Sequence, residues 1–578
     1  MKMNYKDYPA MSRAARGLEK ADLVLKNGKV LNVFTEEFVE ADVAICNGTI
    51  VGVGSYSGVR EIDLHGKYVV PGFADSHLHL ESTLVQPFEL INEALRYGTT
   101  TFIVDPHESA NVAGLDGIDY ILDQTSDVAA NVYVMVPSCV PAAPFEDNGF
   151  ILNPAEMKKY LDNKRILGLG EVMDCKAVID GEPLMMEKLE MFQSKNMDGH
   201  APFLSDQDLA AYALAGIRTD HECCDYEYAK KECGNGIYVL IREGSAAKNL
   251  EAIVTGIVAD NAPMERYCFC TDDKHIEEIK EEGHISANVK KAVRLGIPPA
   301  KALKMASWQA ASCYGLKHLG AIAPGYQADL VLLDDLEEFR ISGVFHKGRN
   351  IEEYEAKVRI SCPDRIRNTV RVTDFDKSRL EIRSDGKEFP VIGIISGQIV
   401  TKKLLEKLPE EEGRFVPDET YSKIAVVERH KGTGKVGVGV IKGFGIKHGA
   451  IASSVSHDSH NIIVVGDNDE DMVAAVQELV EKQGGYTIIS GGRSVGTLPL
   501  PIMGLMSDAG HEEVGEKLKG MIQKAHEMGV NPGIDTFINL SFMALSVIPE
   551  IRITTRGIYD VVENRFYGRE GCFDKSCF

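Results

Sequence analysis

Short apolar runs alternate with amphipathic stretches over residues 71–318. Between two of the runs, SDQDLAAYALAG places Ser205 as a helix N-cap and Gly216 as a terminator. Such alternation predicts right-handed crossovers and a parallel sheet, and eight units in about 250 residues are typical of a (β/α)8 barrel. The predicted strands are 69–79, 100–108, 130–138, 165–173, 197–202, 216–222, 236–244 and 266–273.

Both flanks of this region have β character. In residues 20–70, Asn27-Gly28 and Asn47-Gly48 each lie between apolar runs and predict two-residue hairpin turns. Residues 319–350 have a similar composition. We expect the two flanks to form one small composite β-sandwich beside the barrel.

The last part of the chain predicts a further α/β domain. VIGIISGQIV and SKIAVVERHKGTGKVGVGVIKGF are predicted strands, and DEDMVAAVQELVEKQGG and HEEVGEKLKGMIQKAHEMGV are predicted amphipathic helices. The expected division is residues 1–70 for the first part of the sandwich, 71–318 for the barrel, 319–375 for the second part and a connection, and 376–578 for the C-terminal domain.

Charge and cysteine content narrow the class of protein. The net charge of -23 argues against nucleic acid and anionic membranes as partners. The N-terminus lacks the apolar core of a signal peptide, and no uncharged apolar run reaches about eighteen residues. Cys223-Cys224, Cys268-x-Cys270 and Cys572-x4-Cys577 lack zinc-ribbon spacing. We therefore expect a cytoplasmic protein with reduced thiols.

The first predicted barrel strand ends in His77 and His79. Residues two apart on a strand point to the same face, so both imidazoles can reach one ion. The alternative is a pair of exposed polar positions. That alternative fits poorly here, because helices cover the outer face of a barrel strand.

Other predicted strands end in residues of the same chemistry. These are Glu171, His200, His221 and Asp272. A lone histidine at a strand end is more often a structural group, so the prediction depends on their convergence at the catalytic rim of one barrel. Imidazole and carboxylate ligands suit zinc, iron or manganese. Six ligands suit two ions that share a bridging carboxylate and hydroxide.

These motifs resemble a known family. PGFADSHLHLES, GLGEVMD, GHAP, TDHE and FCTDD, followed by LGAIAPGYQADLVLLD and HGAIASSVSHDSHN, resemble the amidohydrolase superfamily and, within it, the bacterial adenine deaminase family with its additional C-terminal domain. Many amidohydrolases carry a carboxylated lysine at the end of strand 4, where this chain has Glu171. The resemblance implies one ion held by His77, His79, Glu171 and Asp272, and another held by Glu171, His200 and His221.

The same resemblance implies an activity. A metal-activated hydroxide would attack carbon 6 of adenine, giving hypoxanthine and ammonia in purine salvage and adenine catabolism. Asp272 would carry the proton, and His221 would hold the leaving amine or polarise the site. The family implies manganese or iron(II), with zinc compatible, and a homo-oligomer is expected.

Two other functions compete with this one. The first is another amidohydrolase activity of the same fold, such as that of an amino-sugar deacetylase or a cyclic amide hydrolase. The second is a non-catalytic scaffold, which is disfavoured because all six ligand positions are filled.

Five further side chains near the predicted strand ends have two interpretations each. His107 and Glu108 are expected either to orient a ligand imidazole or to contact substrate. Glu81 and Ser82 follow the first motif and either face the purine or begin the next turn. Arg242 is either an ion-pair partner or a substrate contact.

The C-terminal domain contains two motifs that could indicate a binding site. KGTGKVG (residues 431–437) contains G-x-G-x-x-G but is followed by a predicted strand, so nucleotide binding is rejected. SVSHDSHN contains His457, Asp458 and His460. The favoured interpretation is a polar loop at a strand end, and the alternative is a loop that caps the barrel mouth.

Overall fold

The computed structural model describes residues 5–245, 247–354 and 361–568. Cys572 and Cys577 lie outside the described residues. The described cysteines are free thiols. Within the described ranges, no helix combines the length and the apolar character needed to cross a membrane.

The N-terminal flank forms one part of a β-sheet. Its strands are β1 (Ala21–Asn32), β2 (Glu37–Cys46), β3 (Thr49–Gly54), β4 (Gly58–Asp63) and β5 (Tyr68–Pro71). Strand β1 pairs antiparallel with β2 and parallel with β4 and β5.

One of the two predicted hairpin turns is wrong. Asn47-Gly48 joins β2 to β3 as expected, but Asn27-Gly28 lies inside β1 as a bulge in its pairing with β2. Asn27 adopts a φ of 57°, and its backbone N–H donates to Asp42 Oδ1 at 3.0 Å. The bulge uses the same positive φ that a hairpin turn would use, so the dipeptide alone does not distinguish them.

Eight parallel strands form the predicted barrel, and the fold class is confirmed. They are β6 (Phe73–Leu78), β7 (Thr99–Val104), β8 (Asn131–Val136), β9 (Ile166–Val172), β10 (Asn196–Gly199), β11 (Thr219–Asp220), β12 (Tyr238–Arg242) and β13 (Tyr267–Cys270). Strands β6 to β10 pair in sequence, as do β11 to β13. A parallel bridge between Leu78 and Asp272 joins the first strand to the last, and Arg218 N–H donates to Met197 O at 3.1 Å between β10 and β11.

The first predicted strand, 69–79, is in fact two strands in different sheets. Strand β5 belongs to the flanking sheet and β6 to the barrel. The chain changes sheets at Gly72, whose N–H donates to Asp329 O at 2.8 Å. A Cβ on Gly72 would lie 2.1 Å from Thr100 Oγ1, so the close approach requires glycine.

One helix, α1, precedes the flanking sheet, and the others lie between and after the barrel strands. They are α1 (Tyr8–Ala15), α2 (Pro87–Arg96), α3 (His107–Ala113), α4 (Leu115–Gln124), α5 (Pro154–Met157), α6 (Cys175–Asp180), α7 (Pro183–Phe192), α8 (Asp206–Leu214), α9 (Tyr226–Gly234), α10 (Leu250–Asp260), α11 (Ile276–Glu282), α12 (Ile285–Arg294), α13 (Pro299–Lys304) and α14 (Ala310–Cys313). Ser205 caps α8 as predicted, accepting a hydrogen bond from the N–H of Asp208.

After the barrel the chain returns to the flanking sheet. It adds β14 (Leu330–Leu333), β15 (Ile341–His346) and β16 (Arg349–Asn350), in the order β16-β15-β14-β5-β1-β2-β3. Strand β14 pairs antiparallel with β5. The two flanks therefore form one sheet beside the barrel.

The C-terminal domain contains both predicted helices but is richer in strands than expected. Its strands are β17 (Glu388–Ile394), β18 (Thr401–Lys407), β19 (Glu410–Glu411), β20 (Arg414–Phe415), β21 (Tyr421–Val427), β22 (Val436–Lys442), β23 (Ala450–Ser453), β24 (Ile462–Gly466), β25 (Gly485–Ser490), β26 (Arg493–Pro499), β27 (Ile551–Thr554), β28 (Gly557–Asp560) and β29 (Arg565–Tyr567). Its helices are α15 (Asp469–Lys482), α16 (His511–Glu527) and α17 (Thr536–Phe542). The main sheet runs β18-β17-β22-β21-β24-β23-β25-β26 and is antiparallel except between β17 and β22.

The G-x-G-x-x-G loop joins β21 to β22, so a strand follows it as predicted. The Glu428 carboxylate accepts hydrogen bonds from the backbone N–H groups of His430, Lys431 and Thr433, at 2.5, 2.7 and 2.8 Å. These are the donors that a phosphate would need, and an anionic side chain of the protein already occupies them.

One continuous apolar core joins the C-terminal domain to the barrel. A single cluster of buried residues contains Leu84 and Leu90 of the barrel unit as well as Met503 and Leu505 of the C-terminal domain. The backbone N–H of Ser507 donates to Leu84 O at 2.8 Å. Burying one such side chain contributes about 1.5–3 kcal/mol. The two units therefore stabilise each other.

Candidate metal centre

The six predicted ligands lie together at the carboxyl ends of the barrel strands. His77 belongs to β6 and Glu171 to β9, while His79, His200, His221 and Asp272 lie just beyond β6, β10, β11 and β13. All six are buried. A parallel barrel brings these strand ends to one rim, which explains why residues so distant in sequence meet.

Four of these side chains form a first group. Glu171 Oε1 lies 3.1 Å from His77 Nε2 and 2.9 Å from His79 Nε2. Asp272 Oδ1 lies 3.5 and 3.0 Å from the same two nitrogens. Ligand atoms that each lie about 2.1 Å from one ion are about 3 Å from one another. The group therefore has the spacing of a single coordination sphere.

The other oxygen of Glu171 faces a second group. Glu171 Oε2 lies 3.2 Å from His200 Nδ1 and 3.6 Å from His221 Nε2. One carboxylate thus presents a different oxygen to each group. This is the arrangement that a carboxylate bridging two ions would require.

The donor atoms of both groups fit divalent metal ions. His79 Nδ1–H donates to the backbone oxygen of Asp105 at 2.8 Å, which leaves the Nε2 lone pair directed at the first group. Glu171 Oε1 is buried without a hydrogen-bond partner. An unpartnered buried polar atom costs about 1–3 kcal/mol, and coordination of an ion would remove that cost.

The electrostatic field of the site favours cations. Burial lowers the pKa of His77, but Glu171 and Asp272 outweigh it and raise that pKa to about 10. Burial would raise the pKa of Glu171, yet the surrounding histidines hold it well below its usual range. Burial, together with the nearby His77, lowers the pKa of His221 to about 3, so this imidazole stays neutral. A neutral imidazole is the form that binds metal.

Arg242 forms an ion pair inside the site. Its Nη1 lies 2.7 Å from Asp272 Oδ2 and also contacts Glu222 Oε1. All three side chains are buried. Asp272 adopts a φ of 58°, a left-handed conformation that costs a non-glycine residue strain. Of the two interpretations of Arg242, the geometry favours the ion pair.

Glu222 and Asp105 are site residues that the sequence reasoning missed. Glu222 Oε1 lies 3.5 Å from His221 Nε2. Asp105 Oδ2 accepts the backbone N–H of Glu171 at 2.8 Å, and a Cβ on Gly170 would lie 2.1 Å from that oxygen. The available signals were the carboxylate next to His221 in TDHE and the glycine before Glu171 in GLGE.

His107 and Glu108 lie at the start of α3 instead of in a strand. His107 Nδ1 is 3.5 Å from Glu171 Oε1, and its ring meets that of His79 edge to face at 4.5 Å. His107 therefore packs directly against the first group. Glu108 is fully buried one residue further on.

Glu81 and Ser82 begin a short 3₁₀ turn, Glu81–Thr83, and both are buried. Glu81 Oε1 accepts the backbone N–H of Ser109 at 3.0 Å, which ties the turn to α3. Ser82 Oγ contacts the carboxylates of Glu108 and Asp273. Both side chains have partners within the protein.

The loop with His457, Asp458 and His460 covers the barrel mouth. All three side chains are buried. Asp458 Oδ1 is 3.5 Å from His107 Nε2, and His460 Nε2 is 3.4 Å from Glu108 Oε2. The loop follows β23, in line with the favoured interpretation of a polar loop at a strand end, and its contacts with α3 agree with the alternative, a loop that caps the barrel mouth. Contacts with another domain bury the loop, and the local sequence does not encode such contacts.

Comparisons with known proteins agree with this arrangement. Residues 68–351 match the amidohydrolase family, and residues 398–565 match the adenine deaminase C-terminal domain. A protein named adenine deaminase from Desulfitobacterium hafniense (strain Y51) is 56% identical over 565 residues, which cover 98% of this chain and 99% of that one. A protein of the same name from Clostridium acetobutylicum is 44% identical and covers 96% and 98%.

Solved structures give more distant matches. N-acetyl-D-glucosamine-6-phosphate deacetylase from Mycobacterium smegmatis is 18% identical with a TM-score of 0.43, over 57% of this chain and 99% of that one. The relatives that match over nearly the full length decide the assignment. The chain belongs to the adenine deaminase family of the amidohydrolases.

Proposed function

We propose that the protein hydrolyses adenine to hypoxanthine and ammonia, in purine salvage and adenine catabolism. The observation that carries this proposal is Glu171, which faces two ligand groups with its two oxygens inside an adenine deaminase chain. Amidohydrolases use divalent metal, and the clustered histidines and carboxylates agree with that use.

In the proposal, His77, His79, Glu171 and Asp272 hold one ion, and Glu171, His200 and His221 hold the other. Manganese or iron(II) is preferred and zinc is compatible, because imidazole and carboxylate suit all three. When bound, the ions would lower the pKa of a water molecule so that it becomes a nucleophile at neutral pH.

The protein's own groups would move the protons. The nucleophilic oxygen forms a bond to carbon 6 of adenine, and the bond from carbon 6 to the amino nitrogen breaks. Asp272 accepts the proton of the nucleophile and returns it to the ring or the departing amine, so that ammonia leaves. Arg242 keeps Asp272 ionised and therefore able to accept that proton. His221 is proposed to orient the amine as well as to bind metal.

The second candidate is another amidohydrolase activity, such as amino-sugar deacetylation or hydrolysis of a cyclic amide. The adenine deaminase C-terminal domain favours the first candidate over it. We also propose a cytoplasmic location, supported by the free thiols of the described cysteines, and a homo-oligomer. Light scattering on the purified protein tests the assembly.

The activity is tested with protein loaded with Mn²⁺, or with Fe²⁺ under anaerobic conditions. Incubation with adenine should show conversion to hypoxanthine in the ultraviolet spectrum and release of ammonia. Parallel incubations with an N-acetylated amino-sugar phosphate and a cyclic amide should show no turnover. Activity on either of these, with none on adenine, would replace the proposal by the second candidate.

A further inference from the structure

A second cluster of metal-binding side chains lies beside the centre at Glu171. His107 of α3 meets His457 and Asp458 of the covering loop, and ligand atoms of the three lie within 4.8 Å of one another. Asp458 Oδ1 is 3.5 Å from His107 Nε2 and 3.6 Å from His457 Nδ1. The three residues are 4%, 4% and 2% exposed.

Several of these atoms have no partner in the protein. Both ring nitrogens of His107 and Asp458 Oδ2 are buried without a hydrogen bond. Native proteins leave few buried polar groups unsatisfied, and each requires an explanation such as an ion. His107 Nε2 faces the Asp458 carboxylate, and the unpartnered atoms on these two facing residues indicate that a ligand is missing between them.

The orientation of His107 separates this cluster from the first centre. Its Nδ1 faces the carboxylates of Glu171 and Asp105, with Oε1 at 3.5 Å and Oδ1 at 3.9 Å, so the proton of the neutral ring is best placed on Nδ1. In that tautomer Nε2 carries a lone pair, and it is Nε2 that faces Asp458. The two nitrogens of the His107 imidazole thus face different groups, Nδ1 the first centre and Nε2 the covering loop.

His457 is held in a matching orientation. Its ring stacks on Phe542 with the centroids 4.6 Å apart and an interplanar angle of 20°. Its Nε2 faces Asp273 Oδ2 at 3.7 Å, so Nδ1 is left directed at Asp458. The ring is therefore placed by packing before any ion arrives, as a metal ligand should be.

The neighbouring pair of His460 and Glu108 has a simpler explanation. The backbone N–H of Ser456 donates to His460 Nδ1 at 3.1 Å, so the neutral ring carries its proton on Nε2. That Nε2 lies 3.4 Å from Glu108 Oε2, the distance of a long N–H···O contact. His460 therefore directs an N–H towards Glu108 and has no lone pair to offer an ion on that side.

We propose that His107 Nε2, His457 Nδ1 and the Asp458 carboxylate bind a third divalent cation, separate from the ions proposed at Glu171. Two imidazoles and one carboxylate suit manganese, iron(II) and zinc. Because His107 belongs to the barrel and the other two ligands to the C-terminal domain, this ion fastens the covering loop over the barrel mouth. The site depends on these three ligands and does not depend on which substrate is turned over.

Metal analysis of matched variants tests the site. Wild-type protein saturated with Mn²⁺ and desalted should contain one equivalent more than Asp458→Asn or His457→Gln, with plasma mass spectrometry as the measurement. His460→Gln alters the same loop outside the coordination sphere and should retain the wild-type content. Circular dichroism of each variant checks the fold. Equal metal content in wild type and both ligand variants would overturn the site.

Diffraction gives a test without substitution. Crystals of the wild-type protein grown with Mn²⁺, measured on both sides of the manganese absorption edge, should show an anomalous peak between His107, His457 and Asp458. Peaks only at Glu171, with the three side chains ordered, would refute the third site. Adenine turnover measured on the same sample reports separately on the proposed function, so the two can fail independently.

Discussion

Arg242 Nη1 lies 2.7 Å from Asp272 Oδ2, while Asp272 Oδ1 faces His77 and His79 at 3.5 and 3.0 Å. The two oxygens of one carboxylate therefore have different partners. Burial would raise the pKa of Asp272, but Arg242 and the histidines hold it well below its usual range. The arginine keeps the carboxylate ionised and fixes the direction in which it points.

Arg242→Met should reduce kcat/KM for adenine by about 10²-fold, the effect of a misplaced catalytic group. Without the guanidinium, the pKa of Asp272 rises. A base must be ionised, so the acidic limb of the kcat/KM profile should move to higher pH. Steady-state kinetics against pH measure both effects. Lys230→Met, which removes an exposed cation paired with Asp260, should leave the profile unchanged.

Glu171→Gln should preserve the fold and abolish activity together with metal binding. The amide has nearly the same shape but cannot present an anionic oxygen to each ligand group. Loss of an outer-shell partner typically lowers metal affinity by about 10- to 100-fold, and loss of a shared ligand should cost more. Metal content after desalting and adenine turnover measure the effect. Full activity in this variant would remove Glu171 from the proposed bridging role.

Removal of the C-terminal domain should make the barrel insoluble. A chain ending at residue 375 would expose Leu84 and Leu90, which share a core with Met503 and Leu505. An exposed apolar surface of that size favours aggregation. Fractionation of lysates measures it, with the full chain expressed in parallel. A monodisperse truncated barrel would contradict the shared core. So would a decrease of under about 2 kcal/mol in the free energy of unfolding of the full chain on the substitution Leu505→Ala.

Glu232 should make the protein less stable as the pH rises. Its side chain in α9 is fully buried, and burial together with the charge of Asp220 raises its pKa well above the usual value. A carboxyl group whose pKa is raised on folding is protonated in both the folded and the unfolded state below about pH 4.5, so it costs no stability there. Stability is lost as the pH rises from that value towards the pKa of the folded state.

Glu232→Gln should therefore lose less stability than wild type between about pH 5 and pH 8. Urea midpoints at the two pH values measure the difference. Glu227→Gln changes an exposed residue of the same helix and should follow the wild type. If the urea midpoints of all three proteins depended on pH in the same way, Glu232 would not titrate in this range.

The barrel and its ligands could be predicted because local pattern and general geometry were sufficient. Strand-helix alternation indicates a parallel barrel, and a parallel barrel brings the ends of its strands to one rim, so His77 and Asp272 had to be neighbours. The bulge at Asn27 could not be separated from a hairpin turn, because both use a positive φ. The burial of His457 depends on contacts between domains, which leave no periodic signal.

The parallel bridge between Leu78 and Asp272 also constrains the order of events during synthesis. Asp272 N–H donates to His77 O at 3.0 Å, so the first ligand group exists only when the last barrel strand has joined the first. A nascent chain in which only His77 and His79 have left the ribosome therefore carries two ligands but no complete binding site. Ion uptake at Glu171 must wait for Asp272 to leave the exit tunnel. Uptake by nascent chains of increasing length would thus report the moment of barrel closure.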